Sequence, residues 1–162
     1  MLNMARKDIR VTVKGQVRKP GTYTVNAGEN LLDAIFVHAG GLADGRFSLR
    51  AVLVGGARGH FAAADELAAP LTAPAELMVV DSGSCLVNVV RLLLAHNNTA
   101  QAGYGGCPAC RGALAAGARL LARLCTPQGS AGDLAELARL ATVADPACPD
   151  KCSGLKPLAS AL

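Results

Sequence analysis

The run Ile9-Arg10-Val11-Thr12-Val13-Lys14-Gly15, with Lys19-Pro20-Gly21 and Thr22-Tyr23-Thr24-Val25 behind it, decides the fold of the first half of this 162-residue chain. Ile9, Val11 and Val13 alternate with Arg10, Thr12 and Lys14, the period-two pattern of a strand buried on one face. Gly15 breaks the run, Lys19-Pro20-Gly21 makes a turn, and Thr22-Tyr23-Thr24-Val25 reads as a second strand. Asn26-Ala27-Gly28-Glu29-Asn30 is a further turn, and Asn30 can cap a helix carrying Leu31, Leu32, Ala34, Ile35, Val37 and His38. Gly40-Gly41 stops that helix. Ala51-Val52-Leu53-Val54 and Leu77-Met78-Val79-Val80 are apolar runs of strand length. A hairpin, a helix and returning strands predict a small α+β sheet with one covering helix.

Around Asp81-Ser82-Gly83-Ser84 the period changes. Leu86, Val89, Val90, Leu93 and Leu94 recur at helical spacing, and Asn97-Asn98-Thr99 ends that helix before the Gly-rich Ala102-Gly103-Tyr104-Gly105-Gly106. Residues 111–124 are rich in Ala and Leu and strongly helix-forming. After Pro127-Gln128-Gly129, Ser130-Ala131-Gly132-Asp133 opens another amphipathic helix with Leu134, Leu137, Leu140 and Ala141 facing inward. Pro146 and Pro149 break it, and a short apolar segment, 155–162, closes the chain. The expected division is a β-rich domain over residues 1–82 and a helical domain over 83–162.

The length suffices to bury a core, built from Ala, Leu and Val because tryptophan is absent and aromatic residues make up 3% of the chain. Acidic and basic residues interleave to a net charge of +4, and with few rings to stack on bases, nucleic-acid binding is disfavoured. No apolar run is long enough to span a membrane, and residues 1–8 lack the apolar stretch of a signal peptide. The expected location is the cytoplasm, with a peripheral place on a membrane-bound complex also compatible.

In a reducing compartment, free thiols are kept for metals or chemistry. Cys107-Pro108-Ala109-Cys110-Arg111 and Cys148-Pro149-Asp150-Lys151-Cys152 form two local pairs. Two thiols two residues apart can bind one metal centre from a single turn, and a second pair from a distant segment closes the coordination. Cys107, Cys110, Cys148 and Cys152 are thus candidate ligands of a metal or iron–sulfur site; the gap between the pairs is too long for a common zinc finger. Cys148 and Cys152 are four apart and on one helical turn would share a face. Cys85 and Cys125 have no local thiol partner and read as core residues. His38, His60 and His96 have no carboxylate or serine in local register, so no catalytic triad is expected.

With these motifs placed, the chain becomes recognisable. Val13-x-Gly15-x-Val17-x-x-Pro20-Gly21-x-Tyr23-x-Val25, then Gly28, Leu31-Leu32-Asp33-Ala34-Ile35, Ala39-Gly40-Gly41, and Ala51-Val52-Leu53 with Gly55-Gly56, resemble a soluble-ligand-binding β-grasp (ubiquitin-like) domain. The second half resembles the iron–sulfur helical domain at the C-terminal end of the NADH-binding flavoprotein subunit of respiratory complex I and of related NAD-linked hydrogenases and formate dehydrogenases. The resemblance implies a four-helix cluster-binding bundle. It also implies a [4Fe–4S] cluster held by three cysteines of a Cys-x-x-Cys-x-x-Cys-Arg stretch and a fourth near the C-terminus.

Cys107, Cys110 and Arg111 match the second and third cysteines and the arginine of that stretch, and Cys148 matches the fourth. Tyr104 stands at the first cysteine position, Ala102 replaces the usual glutamate, and Cys152 is an additional thiol. Cys152 could supply the missing ligand; Tyr104 could be a weak ligand or a plug; three thiolates could hold a [3Fe–4S] cluster, and zinc would also accept the set. Arg111 could offset cluster charge or be a plain surface residue. The family's flavin and NADH loop has no counterpart, since Gly40-Gly41 and Gly55-Gly56 lack the strand–loop–helix context for phosphate binding. The expectation is an electron-transfer subunit with no catalytic site of its own. It would work beside a flavin- or iron–sulfur-bearing partner in an NADH dehydrogenase-, hydrogenase- or formate dehydrogenase-like complex. The alternatives are a redox-inactive structural subunit with zinc or no metal and, more remotely, ligand binding by the β-grasp domain.

Overall fold

Alternation along the first strand is what builds the sheet. In a computed structural model describing residues 8–99, 107–142 and 153–162, β1 (Asp8–Gly15) buries Ile9, Val11 and Val13 and turns Asp8, Arg10 and Lys14 outward. β2 (Gly21–Asn26) runs antiparallel to it, with Val11 opposite Tyr23 and Ile9 opposite Val25. On the other side of β1 lies β5 (Ala75–Asp81), parallel and in register from Val11–Ala75 to Gly15–Val79. β3 (Leu49–Val54) pairs antiparallel with β5, so four strands take the order β2-β1-β5-β3.

Gly15 is forced by this register. It sits at φ +88°, and a Cβ there would lie 2.3 Å from the Val79 carbonyl oxygen. Only glycine tolerates both the backbone angle and the approach.

The covering helix begins at a reciprocal cap. The Asn30 side chain accepts from the Asp33 N–H, and the Asp33 carboxylate accepts from the Asn30 N–H, both at 2.9 Å. α1 (Leu31–Asp33) continues as a π-helical turn through Ala34–His38 and ends at Gly40 and Gly41, both at positive φ. Leu31, Ala34 and Ile35 pack under it onto Val11, Val13, Val25, Val52, Leu77 and Val79. A short helix, α2 (Ala64–Ala68), was not foreseen.

The chain divides into two units. The first comprises residues 1–56 and 62–83; the second comprises 57–61 and 84–162. The second contains the two-residue strand β4 (His60–Phe61) and the helices α3 (Leu86–Asn97), α4 (Pro108–Leu124), α5 (Ala131–Ala141) and α6 (Lys156–Ala161). His60 is in that strand. Val90, Leu93, Leu94, Leu114, Leu121, Leu137, Leu140 and Leu158 are buried. The α+β class is therefore observed.

Helix ends follow local chemistry. Ser130 caps α5 reciprocally with Asp133, and Pro108 occupies the first turn of α4, where its missing N–H costs nothing. Leu134 departs from expectation: it lies beyond the edge of α5's apolar stripe and is 52% exposed, while Leu137 and Leu140 are buried. Among the described residues, no helix is long and apolar enough to cross a membrane.

Candidate metal centre

The Cys-x-x-Cys pair falls at the start of α4 because Pro108 cannot continue a helix backwards and Cys107, extended at φ −60° and ψ 160°, becomes its N-cap. This makes the first thiol an acceptor. Cys107 Sγ takes a hydrogen bond from the Cys110 N–H at 3.4 Å, one of the donors a helix N-terminus leaves unpaired. Cys110, one turn on, is fully buried, and Cys107 is half-buried.

The two sulfurs face each other at 3.3 Å. That is far beyond a disulfide bond of about 2.0 Å. It is about half an ångström short of the roughly 3.8 Å that separates two thiolates on one tetrahedral metal. A small opening of the Cys107 or Cys110 rotamer would bring both onto one tetrahedral ion, whereas a [4Fe–4S] cluster, whose cysteines each bind a different iron, needs the two thiols further apart. Thiolate donors suit iron–sulfur clusters and zinc alike. The donor chemistry thus fits the group that the sequence implies. Three ligand-type side chains do not come together among the described residues.

Arg111 follows the pair on the exposed side of α4, and its side chain makes no ion pair among the described residues. Tyr104, Cys148 and Cys152 lie outside the described residues. Cys85 and Cys125, expected in the core, are both exposed. The reason is positional: they are the N-cap of α3 and the C-cap of α4, where the chain leaves the helix and its packed face.

His38 also departs from expectation. Its Nε2 lies 2.6 Å from Glu29 Oε2, nine residues away across the turn that precedes α1. Hydrogen bonds from His38 and Asn26 hold the Glu29 carboxyl below the usual range. The first unit also carries a shallow recess of about 310 Å³ bounded by Arg18, Phe36, Gly40, Gly41 and Phe47. Sequence reading found neither feature, since both depend on where the turns deliver residues that share no motif.

Residues 9–86 match the model of the SLBB domain family, so the chain carries an SLBB domain. Beyond that domain, the chain is related to an F-type subunit of NADH-quinone oxidoreductase, the second of that type in Rhizobium meliloti (strain 1021). The identity is 30% over 141 residues, covering 79% of this chain and 32% of that protein. Two solved structures of an NAD+-reducing [NiFe]-hydrogenase are similar. The H2-reduced state gives a TM-score of 0.72 at 26% identity and the air-oxidized state 0.73 at 25%. Each covers 93% of this chain. The chain spans about a third of the curated relative and about a quarter of the solved chains.

Proposed function

We propose that this chain is an electron-transfer subunit carrying one [4Fe–4S] cluster within an NADH-linked oxidoreductase complex. The helical unit would serve as a cluster-binding bundle, with Cys107, Cys110, Cys148 and Cys152 as ligands. The observation that carries the reading is the pair of facing thiols at the N-terminus of α4, in a chain related to an F-type NADH-quinone oxidoreductase subunit. A bound cluster supplies one-electron transfer without proton chemistry. The chain's own contribution is to hold the thiols together, to donate the Cys110 N–H toward sulfur, and to place Arg111 beside the pair on the exposed side of the helix. Donor and acceptor would be centres in partner subunits.

The test is metal and sulfide content with low-temperature EPR after anaerobic reconstitution. We expect about four irons per chain and a signal in the dithionite-reduced state. Replacing Cys107 and Cys110 together by serine should abolish both. Reconstituted protein without iron or acid-labile sulfide would overturn the reading. It would favour the second one, a structural subunit with zinc or no metal, which the tyrosine at position 104 motivates.

A further inference from the structure

The two thiols at the start of α4 are arranged for each other before any metal is considered. On a regular helix, residues three apart have Cβ atoms roughly 5–6 Å apart, wider than the roughly 3.5–4.5 Å of a disulfide. Cys107 escapes that limit because it is the N-cap, with an extended backbone at φ −60° and ψ 160°. A capping side chain turns back toward the N–H of the third helical residue. Here that residue is Cys110, whose N–H lies 3.4 Å from Cys107 Sγ. The cap thus delivers one sulfur onto the other, at 3.3 Å, with the Cys107 thiol donating to Cys110 Sγ. Pro108, with its fixed φ, stiffens the short link between them.

The other described cysteines lack this arrangement. Cys85 also stands at an N-cap, but its side chain makes no capping bond and the third residue of α3 is Asn88. Cys125 is the exposed C-cap of α4. Exposure also separates the two thiols of the pair. Cys107 is half-buried among the described residues, while Cys110 is fully buried, on the same face of α4 as Ala113, Leu114 and Leu121. A dissolved reagent therefore reaches Cys107 and not Cys110. An accessible sulfur poised beside a sheltered one that can resolve it is the arrangement of a redox-responsive pair.

We propose that Cys107 and Cys110 are a reversible thiol–disulfide switch, oxidised by a small-molecule disulfide and reopened by excess thiol. Cys107 Sγ attacks one sulfur of the small disulfide; that S–S bond breaks, one thiol leaves with the Cys107 proton, and Cys107 is left in a mixed disulfide. Cys110 Sγ then attacks Cys107 Sγ, the mixed bond breaks, and the second small thiol leaves with the Cys110 proton. The pair has lost two electrons and two protons, and the small disulfide has become two thiols. Excess thiol runs the same steps backwards. While the bond stands, neither sulfur is available as a thiolate ligand, so oxidation closes this end of α4 to metals. The switch itself needs no metal and stands apart from the cluster reading.

The experiment uses the full chain, stripped of metal by a chelator and held in glutathione buffers of rising glutathione-disulfide content. Acid quenching, alkylation of the remaining thiols and tryptic mapping locate every disulfide. Residues 92–111 form a single tryptic peptide, so a bond within the pair appears as that peptide two hydrogens lighter and unalkylated. This form should accumulate as the disulfide content rises and disappear with excess dithiothreitol. In Cys110→Ser, the glutathione adduct on Cys107 should rise about tenfold or more over wild type, because no neighbouring thiol acts at high effective concentration to resolve it. In Cys107→Ser, the buried Cys110 should remain a free thiol.

Wild-type Cys107 that stays reduced, that joins a cysteine other than Cys110, or that retains its glutathione adduct would overturn the switch. Should Cys110→Ser fail to fold, the wild-type map and Cys107→Ser still decide. Zinc titration separates the switch from the metal-site reading. Reduced wild type should bind zinc, and oxidation should release it. Zinc held unchanged after the pair is oxidised would overturn the closing of this helix end to metals. Reduced protein that takes up neither zinc nor iron would overturn the cysteine-site reading instead, and the peptide map alone would then decide the switch.

Discussion

The two units differ in what their charges and contacts are for. The first holds eight Lys or Arg against eight Asp or Glu; the second holds eight against four, so the chain's entire net charge of +4 resides with the helices and the cysteines. The first is closed by strand pairing, and its glycines and turns are dictated by register. The second is an Ala/Leu packing whose polar anchors join residues 40 to 99 positions apart. A sheet built on backbone register tolerates little change at its crossing points. A bundle built on side chains yields locally, and that freedom leaves room for a site whose ligands come from separate segments.

Glycine tests this contrast most severely. Gly15→Ala should destabilise the first unit by at least about 3 kcal/mol, because it places a side chain at positive φ and drives a Cβ against the Val79 carbonyl. Gly117→Ala in α4 should fall within about 1 kcal/mol of wild type. Its Cβ would press on the end of Leu94, Cδ1, at 2.9 Å and touch the ends of Leu158 and Leu137 at 3.7 and 4.0 Å, all flexible side-chain tips rather than backbone, and alanine favours the helix. Denaturant unfolding of both variants decides the matter. Equal losses would mean that the helical unit is as rigidly specified as the sheet.

A smaller effect is expected at the cap of α5. Ser130→Ala removes the acceptor for the Asp133 N–H and should destabilise the helical unit by about 1 kcal/mol, read from the helical signal in thermal unfolding. Asn30→Ala makes the corresponding change before α1, where Leu31 and Ile35 are already pinned in the sheet core. If the sheet's packing dominates, the loss there should be the smaller of the two.

The same contrast explains what could be read from sequence. Strand alternation at Ile9, Val11 and Val13, the cap at Asn30, the helix opening at 130–133, and the stop at Gly40-Gly41 are local signals, and each lies where its pattern put it. Cys107 and Cys110 were legible as a pair because their spacing is one helical turn. Asn97 was legible only as a helix end, because its partners Ala57 and Gly154 lie 40 and 57 residues away. The 57–61 segment carries no motif, and only packing assigns it to the helices. Cys85 and Cys125 were misplaced because composition alone cannot distinguish a buried cysteine from one at a cap.

The smallest effect is a titration. Asp133 is almost fully buried. Burial pushes its carboxyl up, but bonds from the Ser130 backbone and side chain, with the Arg123 guanidinium 2.6 Å away, outweigh that and hold it below the usual range. Glu29 in the first unit is shifted the same way by His38 and Asn26, at a site about a quarter exposed. A carboxyl whose folded pKa is depressed contributes stability above its unfolded pKa and loses it as pH falls through the folded value. Both units should therefore weaken on acidification below the ordinary carboxylate range, about pH 4. Asp133→Asn should flatten the acid limb of the helical unit, and Glu29→Gln should flatten that of the sheet unit less, since water already screens the Glu29 pair. Thermal midpoints across that range, followed separately for helix and sheet, measure both slopes. An acid limb unchanged by Asp133→Asn would show that the Ser130–Arg123 surroundings hold helix α5 by geometry alone, without help from the charge.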